Sequence, residues 1–492
     1  MRSGRRRRHS TGGQPRQSAC RWCRPLLALL IILGISGAGL AYALTSLGFP
    51  PRLIGPYILK RTSGHNPFIT GTGSWIGQTM ISMDRGMLLT ASPVRFRLGA
   101  QPEPAAAAGA GSGRLVVVTS SAEALSAIGS ASPGDVITFL PGHYRFDGQR
   151  INANRAGTAG ESITVRAQQP GSVTLELAMV EGFVVSAPYW RFENLSITGA
   201  CGRHSDCEHA FHVVGGGSHF TAINNTITDF NAHFKINGLE GAFPDDGMIV
   251  SNTLTNSSVR DTANPVTPID LVAASNWVIR RNMITDFQKG DGNRISYGAF
   301  VKGGGSNNLM ENNLILCEYL LHGTGTQQIG LSLGGGGTGK AVCRDQRCIT
   351  EQDGSIIRAN LIGSCSDDGI YINRSATSKV IHNTLIDTGG ISVRFPESTA
   401  EVIGNLVDGN IRSRDQAILR QSDNMDTTVT RLFIGSHPVR NLFDGGYGSL
   451  LVGKVPHRAA GPAASGIPDL CSAKSSDPHA YGAFDDFAGC LR

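Results

Sequence analysis

One short pattern returns along the middle of this chain: WRFENLSI (190–197), FTAINNTI (220–227), MIVSNTL (248–254), WVIRRNMI (277–284), NLMENNLI (308–315), SIIRANLI (355–362), KVIHNTLI (379–386) and AEVIGNLV (400–407). Apolar and polar residues alternate within each copy, which is the period of a strand and not of a helix. The copies recur at about the length of one supersecondary unit, the mark of a solenoid. A second short strand precedes most of them: AFHVV (210–214), FKIN (234–237), IDLV (269–272), AFVK (299–302), GLSL (330–333), GIYIN (369–373) and ISVRF (391–395). No stretch between the strands is long enough for a crossover helix, so each strand must pair with its equivalent in the next coil. The fold class this dictates is all-β, a parallel β-helix.

Each copy carries an Asn just before its last apolar residues: Asn194, Asn225, Asn252, Asn282, Asn313, Asn360, Asn383 and Asn405. Stacked at one position of every coil, an amide side chain donates to one neighbour and accepts from the other, which satisfies turn backbone that would otherwise be buried unpaired. The plainer reading is that Asn simply favours turns.

The 63 glycines suit the many turns of a solenoid, and 492 residues exceed one compact core. The net charge of +6 comes from an Arg-rich head, since the first 24 residues contain no Asp or Glu. Beyond the head the chain is close to neutral, so charge argues for no nucleic-acid partner. An uncharged run lies between Arg24 and Arg52 and predicts a single-pass membrane anchor over residues 25–48. Arg5 to Arg8 would stay in the cytoplasm, leaving the solenoid periplasmic or extracellular on a bacterial inner membrane. A cleaved signal peptide is the competing reading, on Ala41-Tyr42-Ala43. Residues 49–113 read as a juxtamembrane segment without clear period that ends in an Ala/Gly linker, residues 114–455 as the solenoid, and 456–492 as a tail packed back on it, with YGAFDDF (481–487) lying on the last coils.

Cysteine spacing pairs Cys201 with Cys207, Cys343 with Cys348 and Cys471 with Cys490, leaving Cys317 for Cys365 or both as buried thiols. Disulfides place the domain in an oxidising compartment. Cys20 and Cys23 form a CxxC with no second pair to complete a zinc site.

The elements PGD (133–135), PGHY (141–144), GTAGESITVRA (157–167) and QPGSV (169–173) resemble the N-terminal signature of the chondroitinase B and alginate lyase family. That resemblance implies a right-handed parallel β-helix whose open end is covered by an amphipathic helix at 122–131, and β-elimination on uronic-acid polysaccharides. It further implies a Glu-x-Glu pair for calcium, a base Lys soon after it and an Arg one coil on, following an ENN strand. MENNLILCEYLL (310–321) has the strand and Glu318 but no Glu-x-Glu, and GLSLGGGG (330–337) stands where the Lys-bearing strand belongs. The family's catalytic residues are therefore not carried over.

Such chemistry needs a base with a lowered pKa and a cation for the sugar carboxylate, on outward positions of adjacent coils about 4.8 Å apart. If the short strands stack in register, Lys235, Asp270 and Lys302 share one exposed face as candidate catalytic residues, against the plainer reading of a solvated salt-bridge ladder. Tyr371, Asn373, Arg374 and Arg394 continue that face toward an acidic polysaccharide, and His212 in CGRHSDCEHAFH (201–212) joins them as a substrate contact. Asp245-Asp246 and Asp367-Asp368 are candidate calcium ligands on Gly turns, although Asp-Asp-Gly is also good turn chemistry. GGGGTGK (334–340) lacks the Ser or Thr and the framing strand and helix of a phosphate loop. It opens an insertion, residues 334–354, of the kind that lines the binding side of a solenoid.

The sequence thus reads as a membrane-anchored, monomeric, extracytoplasmic β-helix that binds or modifies an acidic polysaccharide by elimination or epimerisation. The alternative is a non-catalytic glycan-binding or cell-envelope scaffold.

Overall fold

The structure is a computed structural model describing residues 23–46, 48–85, 96–104, 113–322, 325–335, 338–443, 469–472 and 481–491. The Arg-rich head, Cys20, most of the Ala/Gly linker and residues 456–468 and 473–480 of the tail lie outside these. Two units are distinguished, residues 1–49 and 50–492.

In the first unit the uncharged run forms helix α1 (Cys23–Ser46). Among the described residues no helix is long and apolar enough to cross a membrane, so the span expected over 25–48 finds no support.

In the second unit three parallel sheets of twelve, eleven and ten strands wind together. Every repeat copy, read above as one strand, is split in two. Trp190–Glu193 belongs to the first sheet and Ser196–Gly199 to the second, and the strand His209–Val214 then joins the third. The split has a backbone cause. The residue before the repeating Asn stands at positive φ in coil after coil, as at Asn224, Ser251, Arg281, Asn312, Ala359 and His382, and one left-handed residue bends the chain onto the next sheet.

The following Asn then closes the turn. Nδ2 of Asn225, Asn252, Asn282, Asn313, Asn360, Asn383 and Asn405 each donates to Oδ1 of the next Asn, at 2.9–3.1 Å, and the column ends on Asn424. Asn194 is not a rung: it stands at positive φ and pairs with Asn224, while Leu195 holds the ladder position.

Inside the coils, Phe183, Phe211 and Phe234 stack at 5.2 Å from strand to strand of the third sheet. Full burial of each side chain stabilises by roughly 2–3 kcal/mol. Helix α2 (Ser121–Gly129) covers the first coil with Ala124 and Ile128, and the Ser120 hydroxyl accepts from the Glu123 amide to cap it. All four expected disulfides are present, including Cys317 with Cys365.

The segment read as lacking a period contains a helical hairpin, α3 (Pro51–Thr62) and α4 (Pro67–Arg85), bound to the solenoid by buried charge. Arg52 bonds Asp84, Asp387 and the Cys365 carbonyl, and Arg85 reaches Glu318 and Asp387. The ENN-strand glutamate Glu318 is thus a docking residue. The outer side of the second sheet is also covered. Leu314, Leu361, Ile386 and Leu406 pack there against Phe96 and Leu98 from upstream and against Phe484 and Phe487 from the tail.

Candidate functional site

With the second sheet's outer wall occupied, the outer wall of the third sheet is where polar side chains gather. Its strands alternate, sending Phe211, Phe234, Leu271, Val301, Leu333, Ile372 and Val393 into the core. The residues between them face out. Parallel register sets His212, Lys235, Asp270, Phe300, Ser332, Tyr371, Ser392 and Arg412 in one line. A second line two residues on contains Lys302 opposite Val272, and Asn373 opposite Arg394.

Lys235 and Asp270 are direct neighbours, with Nζ donating to Oδ2 at 2.7 Å. Lys302 does not follow them in line as the sequence suggested; Phe300 takes that position, and the Lys302 ammonium lies back over its ring at 4.3 Å. Among the described residues no carboxylate lies within ion-pair distance of Lys302. Gly335 of the insertion rests on its stem, where an added Cβ would come within 2.9 Å of Cδ. Burial lowers the Lys302 pKa and outweighs the raising effect of Asp270 and Glu351, while the Lys235 charge lowers it further. Asp270 Oδ1 and Asn373 Oδ1 are buried without a hydrogen-bond partner among the described residues. Each such orphan costs about 1–3 kcal/mol unless something donates to it.

Toward the C-terminal end of the wall, Tyr297 packs edge-on against Phe300, and burial, then Tyr371, holds its phenol above the ordinary range. Burial also raises the Tyr371 phenol, with Arg394 opposing. Asp367 is pushed up to about 7, first by burial and then by the adjacent Asp368, which is ion-paired to Arg412. A carboxyl that keeps its proton near neutrality therefore sits beside two phenols and an arginine.

Several expected residues are placed differently. Arg374 leaves the wall: it stands at positive φ in a turn, over the Phe395 ring at 5.1 Å and beside Glu397. Asp245 is not an open calcium ligand. It accepts from both Arg344 nitrogens at 2.7 and 2.8 Å and from the Ser275 amide, tying down the insertion. Asp246 accepts from Asn276, and neither Asp pair joins a third ligand among the described residues. His212 bonds Glu181 at 2.6 Å and Asn237 at 2.7 Å, and with His209 forms a cluster whose ligand atoms all lie within 4.8 Å of one another. Tyr297, Phe300, Glu181 and Arg412 went unmarked in the sequence. Glu181 opens EGFVV (181–185), a strand one coil before the first copy of the repeat that the pattern made visible.

No family model matches the chain, and no curated protein does. Among solved structures the chain is similar to pectate lyase Pel9A, at 17% identity and a TM-score of 0.47 over 77% of this chain and 98% of that one. It is similar to an alginate lyase from Paenibacillus sp. str. FPU-7 at 15% identity and a TM-score of 0.32, over 64% and 95%. A rhamnogalacturonan lyase aligns at 13% and 0.43, over 64% and 87%. These neighbours are parallel β-helix polysaccharide lyases, and the likeness is one of fold.

Proposed function

We propose that the outer wall of the third sheet binds an acidic polysaccharide and eliminates across its uronate rings, with Lys302 as the base. The observation that carries this is the Lys302 amine, which has no ion-pair partner among the described residues and is desolvated on an aromatic ring. Burial lowers the Lys302 pKa, and the amine in its neutral form takes the proton next to a sugar carboxylate. The electrons of that C–H bond form the ring double bond as the bond to the leaving sugar oxygen breaks, and that oxygen takes a proton from solvent. Arg394, Asn373 and Tyr371, along the same wall, hold the neighbouring sugars by charge and hydrogen bonds. Calcium would serve here only as a bridge brought in with the substrate carboxylate.

A second reading, a glycan-binding or envelope scaffold without turnover, is favoured by the closed Lys235–Asp270 pair, which resembles an ordinary ladder on a sheet face. The two separate on incubation with alginate, pectate and glycosaminoglycans, with and without calcium, while the ultraviolet absorbance of unsaturated product is followed. Product from wild type and none from Lys302→Ala supports elimination. Binding without product supports the scaffold, and neither result leaves the wall structural.

Four disulfides support work outside the cytoplasm, and residues 23–46 would then act as an export signal or tether for a monomer. Recovery of the chain with the membrane fraction, against a mature N-terminus near Ala43, distinguishes the two.

A further inference from the structure

We propose that Glu181, His209 and His212 form a binding site for one divalent transition-metal ion of the zinc class, open at one coordination position. The site stands at the N-terminal end of the same wall and does not depend on the elimination chemistry.

Register places the Glu181 carboxylate directly opposite His209 on the adjacent strand, and His212 follows on that strand. At Gly182 an added Cβ would meet the Ala210 carbonyl at 2.5 Å and Leu177 Cδ1 at 2.6 Å, so the strands approach closely there. All three side chains are about one-fifth exposed, at 25%, 18% and 17%.

The hydrogen bonding at the cluster is one donor short. Asn237 commits its Nδ2 to the Gly238 carbonyl at 2.9 Å, which turns its oxygen toward His212 Nε2 at 2.7 Å. Nε2 must then carry the proton. In a neutral ring, His212 Nδ1 is left with its lone pair against Glu181 Oε1 at 2.6 Å, two acceptors in contact. A proton on Nδ1, or a cation between the two atoms, resolves this contact. His209 adds a second imidazole to the cluster. Its Nδ1 is buried without a hydrogen-bond partner and stands 3.9 Å from Glu181 Oε1.

Two imidazoles and a carboxylate whose ligand atoms all lie within 4.8 Å of one another are a set that one cation can satisfy. Two imidazole nitrogens and one carboxylate oxygen select a zinc-class ion over calcium or magnesium, which prefer all-oxygen shells. Metal–ligand bonds of about 2.0–2.2 Å would spread the closest pair and draw in the widest by roughly 1 Å. Asn237 behind His212 is the kind of outer partner that fixes the tautomer of a metal-bound ring. Lys235 stands opposite His212 on the adjacent strand, so a sugar bound along the wall would bring a carboxylate or hydroxyl close to the ion.

The full chain, stripped with a chelator, is titrated with cobalt(II), with zinc as competitor. The expected result is a saturable visible spectrum at one ion per chain, displaced by zinc and not by calcium. His209→Ala, His212→Ala and Glu181→Gln should each weaken it by at least about tenfold, while His143→Ala on the far side leaves it unchanged. Thermal unfolding of each variant without metal checks that it folds. A chain that gives no saturable spectrum, or one untouched by His212→Ala in a folded protein, overturns the site and leaves a proton shared between His212 and Glu181.

Discussion

Replacing Asn313, a middle rung of the amide column, by Ala removes four hydrogen bonds at once. Its Oδ1 accepts from the Asn282 amide and from Asn282 Nδ2, both at 3.0 Å. Its Nδ2 donates to the Ile279 carbonyl at 2.9 Å and to Asn360 Oδ1 at 3.0 Å. The losses are unequal. Asn282 Nδ2 keeps the Ile249 carbonyl, and Asn360 Oδ1 keeps the residue-313 amide. The Asn282 amide has no other partner among the described residues and is orphaned in a turn without solvent. That orphan costs about 1–3 kcal/mol and the three remaining bonds about 1 kcal/mol each, so the variant should lose roughly 4–6 kcal/mol.

At the end of the column, Asn424→Ala should lose about 1–2 kcal/mol, because Asn424 is half-buried and water reaches the groups it leaves behind. Urea unfolding of the pair measures the difference. Hydrogen exchange would localise it, since solenoid coils need not unfold as one. A loss at Asn313 below about 1 kcal/mol, or equal losses at both positions, would show that the column adds nothing beyond turn propensity.

Lys302→Arg keeps the charge but cannot become neutral near physiological pH, so it should retain polysaccharide binding and lose elimination. In wild type, product formation should rise with pH through a midpoint below the ordinary lysine value; a flat profile would remove Lys302 as the base. Asp367 carries a raised pKa of about 7, so its contribution to stability is full below the unfolded value near 4 and is lost as pH rises through 7. Asp367→Asn should flatten that dependence, as read by thermal midpoints at pH 5 and pH 8. Arg52→Met strands the buried carboxylates of Asp84 and Asp387, with Arg85 still near the latter, and should cost about 3 kcal/mol. Faster proteolysis between α3 and α4 would report the loosened hairpin, and an unchanged rate would mean that apolar packing alone holds it.

The solenoid was legible because its signal is repeated: alternation and a recurring Asn state the same instruction in coil after coil. The exception, Asn194, was also legible in principle, since aligning WRFENLSI with FTAINNTI puts Asn194 over Asn224 and Leu195 over Asn225. What stayed hidden depends on single contacts. Nothing periodic marks Arg52, Asp84 or Arg85 as a buried network, because their partners Asp387 and Glu318 lie more than two hundred residues away in sequence. Three of the disulfides followed from local spacing, and so did the insertion that Cys343 and Cys348 close, whereas Cys317 and Cys365, 48 residues apart, were also open to a reading as buried thiols. The Arg344–Asp245 anchor of that insertion did not.

Lys302 shows how register governs function in such a fold. Strand alternation correctly assigned Lys235, Asp270 and Lys302 to one face, but pairing decides which of them touch. Because Asp270 is opposite Phe300, the two lysines are separated by an aromatic ring and are not stacked as like charges. Two ammonium groups two rungs apart, each about 4.8 Å from a carboxylate on the rung between them, would share it, and the lot would be an ordinary ladder. Shifting Lys302 two residues along gives Asp270 wholly to Lys235 and leaves the second amine over an apolar surface without a counter-ion. The pairing that holds Lys235 in an ion pair is therefore the same pairing that leaves Lys302 without one.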